Sequence, residues 1–132
     1  MLFVDTGAWF ALAVPTDPSH RKIRLTVEKF ANRLITTDYV VDETLTLLRA
    51  RGEPHRAIEM GYRFFDGRLA RIYTVSESTR REAWEIFRKF ADKDWSFTDC
   101  TSKAVIEELG IQAAIALDRH FLQFGTITVL PL

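Results

Sequence analysis

Strand-length apolar segments recur along the chain with longer stretches of helical periodicity between them, and this alternation limits the fold more than any other feature. Leu2 to Val4 is the first strand, Leu34 to Thr37 the second, Ile72 to Val75 the third and Ala113 to Leu117 the fourth, with Ile127 to Leu130 as a final edge strand. The intervening segments carry helix signals. Thr6-Gly7 opens a helix after the first strand, and Asp17-Pro18 starts one that runs to about Asn32. Asp38 caps a helix with Val40, Val41, Leu45, Leu47 and Leu48 on one side, and a further helix spans Pro54 to Phe65. Thr79 and Glu82 make a capping-box pair ahead of Ala83, Trp84, Phe87 and Phe90. Ser96 to Asp99 opens the last long helix, and Gly110 stands just past its end. Phe121 to Phe124 makes a single helical turn. Strands joined by helices form βαβ units, so the expected fold is α/β with a parallel sheet covered on both faces.

The bulk properties set limits on function. A chain of 132 residues is read as one domain, 1–132, large enough for a real core. The longest apolar run, Ala8 to Val14, is far short of the roughly 18 residues of a membrane-spanning helix, so neither an anchor nor a signal peptide is expected. Cys100 is the only cysteine, which excludes an internal disulfide and a thiolate metal cage and fits the cytoplasm. Lys plus Arg and Asp plus Glu both number 18, so any nucleic-acid partner must be held by a local patch.

Ligands of an open parallel sheet collect at the carboxyl ends of its strands, where the following helices begin. Asp5 and Asp118 are each the first polar residue after an apolar strand, and Asp99 lies in the first turn of a helix, so topology places all three on one rim. Glu43 needs a helical projection: at 100° per residue it falls at the border of the apolar arc, beside Val40 and Leu47, while Asp42 points away. Taken singly, each acid reads equally well as a cap, a strand end or an ion-pair partner. Together they conflict. Two unit charges about 5 Å apart repel by about 3 kcal/mol at an effective dielectric of 20, so four need a cation or raised pKa values. With no cysteine and no histidine placed beside the acids, an oxygen-only donor set selects Mg²⁺ or Mn²⁺, and such a site suits phosphodiester hydrolysis.

Met1 to Thr6, Asp42-Glu43-Thr44, Asp94 to Cys100 and Leu117 to Phe121, with Gly110-Ile111 between the last two, resemble the signature blocks of the PIN domain, in particular of VapC-type toxins, over nearly the whole chain. The resemblance implies a three-layer α/β/α sandwich with a mainly parallel central sheet. It also implies an endoribonuclease that depends on Mg²⁺ or Mn²⁺, an RNA substrate, a homodimer and a cognate antitoxin of a type II pair. Carried over by position, Asp5 and Asp99 match the main metal ligands, Glu43 and Asp118 the acids completing the catalytic set, and Thr6 the hydroxyl that supports the first ligand.

Other residues are weighed against plainer roles. Thr98, Arg119 and His120 are candidate supporting or substrate contacts, with capping as the alternative for Thr98 and Ser96 and a surface pair for Arg119 and His120. Asp94 is read as part of a solvated loop, and Cys100 as a packed residue. Arg21, Lys22, Arg24, Arg49, Arg51, His55 and Arg56 are candidates for the RNA patch, and Trp9, Phe10 and Trp95 flank the rim but are more often core. Four other functions compete. A flap-type DNA nuclease needs long extra elements that this chain lacks. A phospho-acceptor domain needs an acidic pair where Asp5 stands alone. A nuclease in RNA processing or a binding-only PIN domain differs in substrate or in missing acids, and no family acid is missing here.

Overall fold

A computed structural model of the chain describes residues 1–125 and 127–132. Among them are β1 (Leu2–Val4), α1 (Thr6–Ala13), α2 (His20–Lys29), β2 (Leu34–Thr37), α3 (Asp38–Ala50), α4 (Pro54–Phe65), β3 (Arg71–Tyr73), α5 (Glu77–Lys89), α6 (Phe97–Leu109), β4 (Ala113–Ile115), a 3₁₀ turn (Arg119–Phe124) and β5 (Thr128–Leu130). The five strands form one sheet in the order β3-β2-β1-β4-β5, with every pairing parallel. The fold is the expected α/β/α sandwich. The chain builds outward from β1 to β3 on one side, then returns through α5 and α6 to lay β4 on the other side of β1. That reversal creates a switch point between β1 and β4, the place where open α/β sheets bind their ligands beyond the strand ends.

The central strands have no polar face because both faces are covered: Phe3, Val4, Ile35, Ala114 and Ile115 are fully buried. Above them α1 packs on α2, α3 and α4, while α5 pairs with α6. Trp9 stands edge-on to Phe64, ring centres 5.3 Å apart. Its indole Nε1–H donates to Thr36 Oγ1 at 3.2 Å, and that hydroxyl donates onward to the Val4 carbonyl at 2.9 Å, which satisfies three buried polar groups beneath the end of β1. Trp9 and Trp95 are core residues, as the plainer reading has it.

Several boundaries differ from expectation for identifiable reasons. Thr37, not Asp38, caps α3: its hydroxyl accepts the Val40 N–H at 3.1 Å, and Asp38 Oδ1 instead accepts the Val75 N–H at 3.0 Å. Ser76 caps α5, so the Thr79 and Glu82 pair lies inside the helix, where the Thr79 hydroxyl donates to Glu108 Oε2. α2 starts at His20 because Asp17 Oδ1 takes the Ser19 N–H and closes a turn first, and it stops at Lys29, short of Asn32. β4 ends at Ile115, two residues before Leu117.

Candidate active site

Asp5 follows β1 and is the N-cap residue of α1 in extended conformation, its N–H donating to the Ile115 carbonyl across the switch point. Only 4% of it is exposed, and its Oδ1 has no hydrogen-bond partner. Burial, opposed by the nearby Thr6 N–H and reinforced by the carboxylates of Asp99, Glu43 and Asp118, pushes the Asp5 carboxyl from 3.8 up to about 8. The charges of all three other predicted acids bear on the same group, while the tight cluster of donor atoms among the described residues is formed by Asp99, Asp118 and His120, without Asp5 or Glu43. Glu43 is half-buried on α3 and Asp42 exposed, in line with the projection.

Asp99 is the third residue of α6 and is held by a reciprocal box: Ser96 Oγ accepts the Asp99 N–H, and Asp99 Oδ2 accepts the Ser96 N–H, both at 3.0 Å. The box satisfies two end groups of α6 and fixes the carboxylate that faces Asp5. Ser96 alone does this capping. Thr98 sits within the first turn, its carbonyl accepting the Thr101 hydroxyl at 2.6 Å, so the capping alternative for it is withdrawn.

Asp118 caps the 3₁₀ turn, with Oδ1 accepting the His120 N–H at 2.9 Å. The His120 ring then turns inward. Its Nδ1 lies 3.0 Å from Asp99 Oδ2 and 3.3 Å from Asp118 Oδ2. This corrects the oxygen-only donor set: a histidine does stand beside the acids, and one donor atom from each of Asp99, Asp118 and His120 falls within 4.8 Å of the others. The Asp118-x-His120 spacing places the histidine near the acids, but only the fold of the 3₁₀ turn aims its ring at Asp99.

The remaining candidates are placed as follows. The Thr6 hydroxyl is buried with no hydrogen-bond partner, directly after Asp5. Arg119 is exposed at the rim, and Asp94 is exposed in the loop before α6. Cys100 is fully buried; burial first, and the Asp99 charge second, push its thiol up to about 11, as befits a packed residue. Among the basic candidates, Arg24 pairs with Glu28, Arg56 pairs with Glu53 and reaches the Ala13 carbonyl, and Arg51 lies over the Phe10 ring. A second aromatic group lies outside the expected set. Trp84 and Phe87 on α5 are exposed and stacked, Phe87 meets Phe97, and Phe97 meets Tyr39, so rings lead from the surface toward the start of α6.

The arrangement fits a divalent cation. A buried carboxylate oxygen without a donor and a carboxyl held protonated near neutral pH are what an acid cluster shows when its counter-charge is a metal. The available donors are carboxylates with one imidazole.

Comparison with known proteins agrees with the geometry. The PIN domain model matches residues 2–126. The chain is 33% identical over 131 residues to the 23S rRNA-specific endonuclease VapC20 of Mycobacterium tuberculosis, covering 99% of each. It is 34% identical over 123 residues to a VapC ribonuclease of Archaeoglobus fulgidus, covering 89% of this chain and 77% of that one. The crystal structure of VapC20, described as a sarcin-ricin loop cleaving toxin, superposes with a TM-score of 0.91 at 30% identity, covering 99% of this chain and 100% of that one. FitAcB from Neisseria gonorrhoeae shares the fold, with a TM-score of 0.73 at 13% identity over 99% of this chain and 97% of that one.

Proposed function

The chain belongs to the PIN domain family as a VapC-type member, and from that premise we propose that it is a divalent-metal-dependent endoribonuclease, the toxin of a type II toxin-antitoxin pair. One observation carries the reading: a buried, unpartnered Asp5 oxygen beside three further acids. Asp5 and Asp99 would hold the ion, Glu43 and Asp118 would complete the site, and the Thr6 hydroxyl would support Asp5. Mg²⁺ or Mn²⁺, when bound, activates a water and screens the charge that develops on the phosphate.

The chain's own groups prepare that chemistry. The Ser96 box orients Asp99 before any ligand arrives. The positive end of α6 opens on the same rim and favours an anionic phosphate there. Arg119, exposed beside Asp118, supplies a cation at the edge of the acid cluster, and Thr98 offers a hydroxyl in the first turn of α6. The neutral total charge makes these local groups the means of binding RNA.

The substrates in the relatives' names point to structured ribosomal RNA as the first target to try. The proposal takes the whole of 1–132 as one PIN domain working in the cytoplasm; no described helix is long and apolar enough to cross a membrane. A second copy of the chain and an antitoxin are the expected protein partners. Two open apolar faces support partners of this kind: Trp84 and Phe87 on α5, and Ile58, Tyr62 and Phe65 on α4.

Purified protein incubated with large-subunit rRNA and Mn²⁺ should cleave it, and chelator should stop the reaction. Asp5→Asn and Asp99→Asn should each lower the rate by at least about a hundredfold, since the acids work as a unit. Cleavage that persists in chelator, or in Asp5→Asn, contradicts the proposal.

A further inference from the structure

We infer that His120 is a nitrogen ligand in the carboxylate site, making it a mixed imidazole and carboxylate centre that prefers Mn²⁺ and later first-row dications to Mg²⁺. The inference rests on the metal-dependent reading above. Its geometric basis is the spacing of donor atoms: Nδ1 to Asp99 Oδ2 is 3.0 Å and Nδ1 to Asp118 Oδ2 is 3.3 Å. Ligands about 2.1 Å from a six-coordinate ion lie about 3 Å apart along the octahedral edges, so the imidazole already stands at adjacent-ligand separation from each carboxylate, and the three donor atoms lie within 4.8 Å of one another.

A hydrogen bond explains only part of this. Nδ1 carries at most one proton, which can point well at a single carboxylate oxygen, whereas here two carboxylates from different elements approach the same nitrogen. A cation at their meeting point would satisfy all three. The independent sign is Asp5 Oδ1, which is buried without a partner and belongs to a carboxyl that feels both Asp99 and Asp118. His120 does not bond that oxygen, which stays open to a cation on the Asp5 side.

The imidazole is also built into place. Its backbone N–H is held by Asp118 Oδ1, the ring is only 19% exposed, and the turn that carries it is anchored by Phe121 and Phe124 in the core. Phe121 lies 6.0 Å from Phe3 and 4.7 Å from Phe124, ring centre to ring centre. With the Nδ1 lone pair turned to an ion, the second ring nitrogen bears the proton. Imidazole is a poorer ligand for Mg²⁺, which keeps oxygen and water, than for transition dications, and this sets the direction of the selectivity.

The test uses the full chain and Mn²⁺ alone. Pulsed EPR should detect hyperfine coupling to a directly bound nitrogen in the wild type. That coupling should vanish in both His120→Gln and His120→Asn, with folding checked by circular dichroism. Calorimetry should show Mn²⁺ affinity falling at least about tenfold in these variants, with a much smaller change for Mg²⁺. Asp99→Asn identifies the site by losing Mn²⁺ binding. Mn²⁺ bound through Asp99 without nitrogen coupling, or with coupling that survives in the His120 variants, overturns the inference and leaves the carboxylate site standing. A wild-type chain that binds no Mn²⁺ overturns both.

Discussion

The Asp5 carboxyl sits at the end of a buried strand with one oxygen unsatisfied, and the strain appears as proton affinity. Its pKa in the folded chain, about 8, lies above the ordinary 3.8, so without metal the native state keeps a proton that the unfolded state releases. The metal-free fold is therefore most stable at low pH with respect to this group. That contribution is lost as pH rises from about 4 to about 8, at no more than about 1.4 kcal/mol per unit. Thermal melts in chelator should show a falling Tm across this window, and Asp5→Asn should flatten the fall while abolishing cleavage. A melt whose slope is the same in the variant would contradict the account. The places of the candidate acids are partly legible at the level of single residues: Asp5 follows a strand, Asp99 begins a helix and Glu43 borders an apolar arc, whereas Asp118 lies three residues past the end of β4 and caps the 3₁₀ turn. His120 is not legible in this way, because the direction of its ring depends on how a 3₁₀ turn folds back over Asp99, which spacing alone does not state.

Among the elements, α6 does most to position the chemistry. Its reciprocal box spends the same Asp99 carboxylate on the helix end and on the acid cluster. Ser96→Ala should cost about 1 kcal/mol, a Tm loss of about 3–5 °C for a chain of this size, and should also slow cleavage because Asp99 loses its orienting partner. A variant that melts lower yet cleaves at the full rate would separate the cap from the site. The helix signals of the sequence locate α6 closely, including Gly110 in left-handed conformation (φ 64°) after its end. They misplace the caps of α3 and α5 by one and three residues, since several eligible side chains stand in a row and tertiary demand decides among them. Asp38 is taken by the Val75 N–H, which leaves Thr37 to cap, and Thr79 is taken by Glu108, which leaves Ser76.

For the whole molecule, alternation of strands and helices dictates a parallel sheet, and a parallel sheet dictates which edge carries the ligands. What alternation leaves open is strand order. The placement of β4 beside β1, rather than beyond β3, is what brings Asp99 and Asp118 across to Asp5, and it follows from long-range packing of α5 and α6. Neutral total charge adds a constraint of the same scale, since long-range attraction to RNA is absent and recognition falls to the rim. The central claim is that these distant residues share one cation. Anomalous diffraction from crystals soaked in Mn²⁺ tests it most directly: the account predicts a peak contacted by the carboxylates of Asp5 and Asp99, with Asp118 and His120 alongside. Crystals that take up Mn²⁺ elsewhere, or none at all, with Asp5 left unbound, would contradict it.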